Sequence, residues 1–368
     1  MRIAFYAPLK PPDHPVPSGD RRVAQLFLAA LRQAGHEPIL AARLRSYDGT
    51  GDARRQGRLA RLGARLAGRF VARCRRRPNE APQLWFTYHL YHKAPDWLGP
   101  QVADRLGIPY LVAEASHAAK REGGAWTLGC RAAAAAIRRA DAVIGLNPAD
   151  REGVVPLLRD PARWVAMKPF IDAAEYSAPL HRSGVPARLA VVAMMRPGDK
   201  LASYCLLGEA LRRLLDLPWS LEVIGDGPAR QAVEEALAPL AGRVLWTGAL
   251  AGPAVAARLA AADLYLWPAI NEAFSMAFLE AQASGLPVVA GDAGGVRSIV
   301  AAGHTGLVVP AGDAAAFAAA VRALLLDPER RARLGEAARR HVLAEHDLGA
   351  AACRLAAVID GIAKARAA

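Results

Sequence analysis

The sequence predicts an α/β protein made of two domains, each organised around a parallel β-sheet. Three observations lead to this prediction. The chain has 368 residues, and two domains of about 180 residues are expected for that length. Short apolar segments alternate with helical segments in both halves. The clearest succession runs from a strand at 264–267 through a helix at 273–284 to a strand at 288–290 and a glycine-rich loop at 291–295.

The remaining elements follow the same alternation. A first strand at 2–7 leads through a long proline-rich loop to a helix at 21–34, which Gly35 ends. Further strands are predicted at 84–88, 109–113, 140–145 and 189–194. Ligands of such sheets bind beyond the carboxyl ends of the strands, so the loops at those ends are the candidate site.

Composition predicts a cytoplasmic protein. No stretch reaches the roughly 18 continuous apolar residues that a membrane span needs, and residues 1–12 lack the apolar core of a signal peptide. The four cysteines show no C-x-x-C pair, which indicates a reducing compartment and argues against a disulfide or zinc framework. They are Cys74, Cys130, Cys205 and Cys353.

Positive charge is confined to the first half of the chain. Residues 1–180 contain 28 Lys and Arg against 16 Asp and Glu, whereas residues 181–368 contain 19 against 18. Much of the excess lies at 54–77, where arginines at helical spacing adjoin a stripe of leucines. This pattern fits an anionic membrane surface or a solvated helix whose leucines pack on their own domain. Nucleic acid is not expected, because no aromatic interleaving or RNP-like run accompanies the charge.

Two glutamates of the 264–295 segment suggest a ligand. Glu272 precedes the predicted helix and Glu280 lies about 12 Å further along the helix axis. Carboxylates accept hydrogen bonds from diols, and a helix N-terminus favours phosphate. A sugar nucleotide has this layout of hexose, diphosphate and ribose. The alternative is that both glutamates only cap and solvate a surface helix.

The same segment resembles a known signature. The run E-x-F-S-x-x-x-L-E-A-x-A-S-G-x-P-V-V-A-x-x-x-G-G at 272–295 is similar to that of the retaining family-4 glycosyltransferases of the GT-B fold. Further matches are VIGDGP at 223–228, WTG at 246–248 and GHTGLVVPAG at 303–312. Two positions depart from the family pattern, since Ser298 stands where a glutamate is usual and Ala193 where a glycine is usual.

The resemblance implies two Rossmann-like domains with parallel sheets facing a central cleft. Residues 1–178 would form the acceptor-side domain and residues 179–347 the domain that binds the nucleotide sugar. A passage at 165–179 would link them, and a C-terminal helix at about 348–368 would pack back on the first domain.

The resemblance also implies roles for individual residues. Glu280 would bind the ribose of the donor, Glu272 the sugar hydroxyls, and Arg196 and Lys200, at the exit of a strand, the diphosphate. His117, also just past a strand, matches a histidine that contacts the donor sugar. His89 and His92 complete no metal triad with the rest of the chain. Other donor contacts are implied at Gly19, Gly225, Ala273, Phe274 and Ser275.

The predicted function is metal-independent glycosyl transfer with retention of configuration, in bacterial polysaccharide or glycolipid synthesis. No two aspartates are separated by a single residue, so the D-x-D pair with which the other large glycosyltransferase architecture holds a divalent cation is missing. A glycan or lipid-linked acceptor, and peripheral attachment to the inner face of the membrane, are expected. Two alternatives stay open: a sugar-nucleotide 2-epimerase of the same fold, and a degenerate sugar-nucleotide-binding protein. Gly19, too, has an alternative role, which is to permit a tight turn before the first helix.

Overall fold

The computed structural model describes residues 1–16, 18–177, 185–240, 242–272 and 274–367. It divides into two compact units. Unit 1 comprises Met1–Lys168 and Leu348–Ala368, and unit 2 comprises Pro169–Asp347. No helix within the described residues is both long and apolar enough to cross a membrane.

Unit 1 contains a parallel sheet of six strands. The strands are β1 Arg2–Tyr6, β2 Glu37–Leu40, β3 Leu84–Leu90, β4 Tyr110–Ala115, β5 Ala142–Gly145 and β6 Trp164–Ala166, in the spatial order β2-β1-β3-β4-β5-β6. Its helices are α1 Gly19–Gln33, α2 Ala53–Arg76, α3 Gly99–Leu106, α4 Thr127–Arg139 and α5 Asp150–Val154. The central strands are buried along nearly their whole length because helices cover both faces of the sheet.

Unit 2 contains a second parallel sheet of six strands. The strands are β7 Ala187–Val192, β8 Trp219–Ile224, β9 Val244–Gly248, β10 Leu264–Trp267, β11 Val288–Asp292 and β12 Gly306–Pro310, in the order β12-β11-β10-β7-β8-β9. The helices are α6 Asp199–Arg212, α7 Arg230–Leu237, α8 Gly252–Ala260, α9 Met276–Ala283, α10 Ala314–Leu326 and α11 Pro328–Glu345. A last helix, α12 Leu348–Ala367, belongs to unit 1 and contacts α1.

Local sequence explains where several helices begin and end. Asp327 caps α11 and Pro328 occupies its first turn, where a missing N–H costs nothing. Gly285 follows α9 in the left-handed region, and the Leu286 N–H bonds to the carbonyl of Ala281, which confirms the predicted glycine stop. The α9 helix nevertheless begins at Met276 rather than at the predicted Ala273, which lies outside the described residues.

The division between the units falls earlier than the predicted passage from residue 178 to 179, and those two residues lie outside the described ranges. Its physical cause is a set of contacts with the end of α11. The buried His346 donates from Nδ1 to the Pro169 carbonyl at 2.6 Å, and the Ala173 N–H donates to Asp347 at 3.0 Å. The segment after Lys168 therefore packs within unit 2.

Candidate active site

The sheet of unit 2 reverses its strand order between β7 and β10. The two strands are hydrogen-bonded neighbours, with Leu264 opposite Leu189 and Tyr265 opposite Ala190. At such a reversal the chain leaves the two strands in opposite directions, and a crevice opens beyond their carboxyl ends. The loops at 193–198 and 268–275 are the ones that follow these strands, and most of the predicted donor-site residues lie in or beside them.

Lys200 and Glu272 form an ion pair at this crevice. The Lys200 ammonium donates to Glu272 Oε2 at 2.5 Å, and the Trp267 indole N–H donates to the same oxygen at 3.2 Å. The ammonium also lies 5.2 Å from the centroid of the Trp267 ring. Both charged side chains are mostly shielded, at 26% and 15% exposure. The structure thus brings together two predicted site residues that stand 72 positions apart in the sequence.

The loop after β10 carries Glu272, and two residues of this loop have an uncommon backbone conformation. Ala269 and Asn271 both have positive φ, at 56° and 52°, which costs energy in residues other than glycine. Two hydrogen bonds fasten the loop to α6: the Ile270 N–H donates to Ser203 Oγ at 3.0 Å, and the Asn271 amide donates to Asp199 at 2.9 Å. Glu272 is therefore held by the first turns of α6 as well as by its own strand.

Gly225 and Gly227 allow two loops to approach closely. Their φ angles are 154° and 155°. A Cβ on Gly225 would stand 1.9 Å from the Ala193 carbonyl oxygen, and one on Gly227 would stand 2.2 Å from that of Met195. Glycine is thus required here for packing, which is a role separate from the predicted contact between Gly225 and the donor. The same Ala193 carbonyl accepts a hydrogen bond from the Tyr204 hydroxyl at 3.0 Å.

One positively charged side chain at the crevice, Arg196, is not neutralised by a described acidic residue. Arg196 is exposed, and no acidic side chain in the described parts of the chain lies within 4.0 Å of its guanidinium. The Ser275 side chain precedes α9 but makes no capping hydrogen bond. A helix start without a side-chain cap can direct its N–H groups to an anion.

The other predicted donor contacts lie on or before α9. Phe274, Ser275 and Glu280 are half-buried, and Ala273 lies outside the described residues. Ser298, which replaces the usual glutamate, donates from its hydroxyl to the Gly295 carbonyl at 2.5 Å. Its side chain therefore serves the turn in which it lies.

His117 and Gly19 belong to unit 1. The His117 side chain is 6% exposed, and its Nε2 lies 3.3 Å from Glu122 and 3.5 Å from the Cys130 sulfur. Gly19 begins α1 behind the Ser18 cap, without a left-handed φ and with open space where a Cβ would stand. The alternative that Gly19 permits a tight turn therefore loses its conformational basis.

Sequence reasoning missed a titratable cluster at the ends of β3 and β4. His89 and Glu114 have φ of 59° and 58°, and His89 Nδ1 lies 3.1 Å from Asp20. Burial lowers the pKa of His89, but Glu114, Asp20 and Asp150 together outweigh it and leave the pKa raised. Burial, with Glu114, raises the pKa of Asp150 to about 6. Strand-end placement was the available signal, although the sequence does not reveal that these side chains meet.

Comparison with known proteins identifies the family. The profile of the family described as "Glycosyl transferases group 1" matches residues 190–341. A D-inositol 3-phosphate glycosyltransferase of Kineococcus radiotolerans is 33% identical over 292 residues, which cover 69% of this chain and 67% of that protein. The chain belongs to the group 1 glycosyltransferases. A GDP-mannose-dependent alpha-mannosyltransferase of Mycolicibacterium smegmatis is 43% identical over 125 residues, covering 34% of this chain and 32% of the relative.

Solved structures share the fold of this chain. Sucrose-phosphate synthase from Thermosynechococcus elongatus superimposes with a TM-score of 0.75 at 20% identity, covering 99% of this chain and 100% of that one. The Anabaena protein HepE, solved in complex with UDP, gives 0.72 at 16% identity, covering 98% of this chain and 100% of that one. The predicted GT-B fold of this glycosyltransferase is confirmed.

The geometry at Gly19 allows a test of whether its backbone approaches a ligand. Gly19→Ala should leave thermal unfolding unchanged or raise stability slightly, by up to about 1 kcal/mol, because the site is unstrained and open. Transferase activity should nevertheless fall, since the family resemblance puts this backbone against the donor diphosphate.

The matched control is Gly107→Ala at the end of α3, where φ is 65° and space is equally open. It should destabilise the protein by about 1–2 kcal/mol through backbone strain while activity at low temperature is retained. Full activity of Gly19→Ala would contradict the proposed approach.

Proposed function

We propose that this glycosyltransferase transfers a hexose from a nucleoside-diphosphate sugar to an acceptor hydroxyl, with retention of anomeric configuration and without a divalent cation. The observation that carries the proposal is the Lys200–Glu272 pair at the strand-order reversal of unit 2. The ammonium can donate hydrogen bonds to a leaving phosphate, and the adjacent carboxylate can accept hydrogen bonds from sugar hydroxyls.

The donor would be bound from its ribose to its sugar along this crevice. Glu280 accepts hydrogen bonds from the ribose, and Glu272 from hydroxyls of the hexose. Arg196, Lys200 and the N–H groups at the start of α9 bind the diphosphate. Phe274 and Ser275 line the approach to that helix. The guanidinium of Arg196 is exposed and has no acidic partner among the described residues. It therefore breaks no ion pair with them when it reaches a phosphate, which supports this assignment.

Binding of the donor would exchange the partners of Lys200 and Glu272. Free of ligand, each neutralises the other at 2.5 Å. With donor present, Lys200 turns to the phosphate and Glu272 to the sugar. The exchange avoids leaving either charge half-buried and alone, which would be costly.

The chemical step breaks the bond between the anomeric carbon and the diphosphate oxygen. Negative charge gathers on the diphosphate, where Arg196 and Lys200 stabilise it. The acceptor oxygen forms the new bond on the face that the diphosphate leaves, and its proton passes to a departing phosphate oxygen. This route needs no separate protein base.

Several relatives support a nucleotide-sugar donor. The M. smegmatis relative is named as GDP-mannose-dependent, and HepE was solved with UDP-glucose as well as with UDP. The epimerase alternative is favoured by no observation on the site. The binding-protein alternative rests on Ser298 and on the loop before α1, where Ser18-Gly19 stands in place of the double glycine usual in the family. Measurable turnover would exclude it.

The acceptor would be a glycan or a lipid-linked saccharide at the inner face of the cytoplasmic membrane, in polysaccharide or glycolipid synthesis. The arginine face of α2 supports this part of the proposal. Five arginines on this face are exposed, and no acidic side chain among the described residues lies within 4.0 Å of any of them. They are Arg54, Arg58, Arg61, Arg65 and Arg69. Attraction to anionic lipid would then require no rearrangement of ion pairs.

The apolar stripe of α2 has less exposed surface for binding a membrane than the sequence suggests. Phe70 is buried in the core of unit 1 and Leu66 packs against it. Leu59 is half-buried, and Leu62, at 43% exposure, is the most exposed leucine of the stripe. Binding to a membrane would therefore be mainly electrostatic.

Glu272→Gln should lower turnover by about 100-fold or more while a nucleoside diphosphate binds as well as before or better. The amide keeps the shape but loses the charge that stabilises the transition state, and Lys200 is released from its partner. Turnover and calorimetric titration with UDP and GDP measure both quantities. Glu209→Gln, which removes an exposed glutamate paired with Arg213, is the control. A parallel loss of nucleotide affinity would show that Glu272 is misassigned.

Arg196→Ala and Lys200→Ala should each cost about 2–4 kcal/mol of transition-state stabilisation in kcat/KM. The Lys200 and Glu272 substitutions should be non-additive by about 0.5–3 kcal/mol, because the two side chains are in contact. Arg213→Ala, at the residue that follows α6, is the control for loss of an exposed arginine. Strict additivity would contradict the partner exchange.

Activity should persist in excess EDTA, because cations of the protein stabilise the leaving group. Initial rates are measured immediately after chelation and again after addition of magnesium, manganese or zinc. A loss that magnesium or manganese restores would contradict metal-independent transfer.

Replacing the five arginines of the α2 face by glutamine should abolish sedimentation with anionic vesicles. Each basic residue near such a surface contributes about 1 kcal/mol, and wild-type binding should weaken as salt rises. The control removes the same charge from exposed arginines of unit 2: Arg212, Arg213, Arg330, Arg333 and Arg340. If wild type ignores anionic vesicles at low salt, the face is merely solvated and a soluble acceptor is favoured.

A further inference from the structure

Three potential metal ligands converge in unit 1. His117 and Glu122 come from the loop after β4, and Cys130 from the first turn of α4. The His117 Nε2, a carboxylate oxygen of Glu122 and the Cys130 sulfur all lie within 4.8 Å of one another. His117 is 6% exposed and Cys130 is fully buried, whereas Glu122 is exposed. The cluster therefore has a buried base and one side open to solvent.

Both distances from His117 Nε2 to the other two groups match those between ligands on one tetrahedral zinc ion. Bond lengths of about 2.0–2.2 Å to nitrogen or oxygen and about 2.3 Å to sulfur put such ligand atoms about 3.3–3.6 Å apart. Nε2 lies 3.3 Å from Glu122 Oε1 and 3.5 Å from Cys130 Sγ. One nitrogen thus has both neighbours at the spacing that a shared ion would impose.

Hydrogen bonding alone satisfies this cluster poorly. A single Nε2–H cannot point at both the carboxylate and the sulfur, and the sulfur is a weak acceptor. If Nε2 carries no proton, the thiol can donate to it across 3.5 Å, but the contact with Glu122 then lacks a hydrogen. If Nε2–H donates to Glu122, the acceptor left near the thiol is the Ala118 carbonyl oxygen, 3.9 Å from the sulfur. A cation between the three groups would favour the thiolate and satisfy all of them at once.

We propose that His117, Glu122 and Cys130 form a zinc-binding site that ties the loop after β4 to the start of α4. Thiolate and imidazole together favour zinc over magnesium or calcium, which prefer oxygen ligands. Three protein ligands leave a fourth position for water. A zinc site with a single cysteine contains no C-x-x-C pair, so the spacing of the cysteines in the sequence does not reveal it.

The site has one consequence for the predicted role of His117. A nitrogen bound to zinc cannot also contact a donor sugar. His117 would then order the loop rather than meet the substrate. The inference is independent of the proposed transfer chemistry, because the diphosphate-binding residues belong to unit 2 and none of them is a ligand here.

The test measures zinc binding by the full-length, tag-free protein. Apoprotein prepared with chelator is titrated with zinc against a chromophoric competitor, and with cobalt(II) to detect the charge-transfer absorption of a cobalt–thiolate bond. Wild type should bind one equivalent of each metal. Cys130→Ser should abolish the cobalt–thiolate band and weaken zinc binding by more than about tenfold. Tenfold is the smallest loss of metal affinity typical for replacing a residue that only hydrogen-bonds to a metal ligand.

Two further variants make the result decisive. Glu122→Gln alters an exposed side chain, so it should fold normally and still weaken zinc binding. Cys74→Ser, at the other buried cysteine of unit 1, should leave zinc and cobalt binding unchanged. Circular dichroism checks folding of every variant. Absence of stoichiometric zinc binding in wild type, or equal binding by wild type and folded Glu122→Gln and Cys130→Ser, would overturn the proposal and leave a histidine–glutamate ion pair beside a buried thiol.

Discussion

The proposed donor site depends on one contact, the ion pair between Lys200 and Glu272 beside Trp267. Burying two charges costs solvation energy that their attraction only partly returns, and losing one partner leaves the other uncompensated. Such a pair is poor at stabilising a fold, but it is well suited to a ligand that supplies a phosphate and hydroxyls at once. The remainder of the crevice serves to hold this contact. The Asn271 amide bonds to Asp199, and the Ile270 N–H bonds to Ser203, so that the carboxylate and the ammonium are positioned by the same helix.

Backbone exceptions concentrate at the carboxyl ends of the strands in both units. Ala269 and Asn271 after β10, and His89 and Glu114 at the ends of β3 and β4, all adopt the left-handed region. These four are the residues other than glycine for which the described chain has positive φ. Strain of this kind persists only where surrounding contacts impose it. In unit 2 the contacts are the hydrogen bonds to α6, and in unit 1 they include the approach of His89 to Asp20.

The sequence predicted seven of the twelve strands that the structure describes and the glycine stop of α9, because these follow from periodicity and local turn chemistry. It also grouped the proposed donor-site residues of α9 through a signature held within 24 consecutive residues (272–295). It could not predict the Lys200–Glu272 contact. That contact depends on β7 and β10 being neighbours, which is a property of strand order. Nor could it give the division at Lys168, which depends on His346 and Asp347 meeting residues more than 170 positions earlier. The surroundings of His117 were hidden for the same reason.

The two units differ in how much of their sequence matches the family profile. The part that matches the family profile lies wholly within unit 2, where the proposed donor contacts are. Unit 1 instead carries the arginine face of α2, the His89 cluster and the cysteine–histidine–glutamate cluster, and none of these belongs to the matched signature. The proposed donor contacts can therefore be shared with relatives that act on different acceptors, while the proposed acceptor side of the protein is unit 1. Its exposed arginines attract anions, whereas Asp20, Glu114 and Asp150 around His89 repel them. An acceptor that contacted both the arginines and these carboxylates would keep its anionic part beside the arginines at the lipid surface. Its neutral, hydroxyl-bearing end would face the carboxylates.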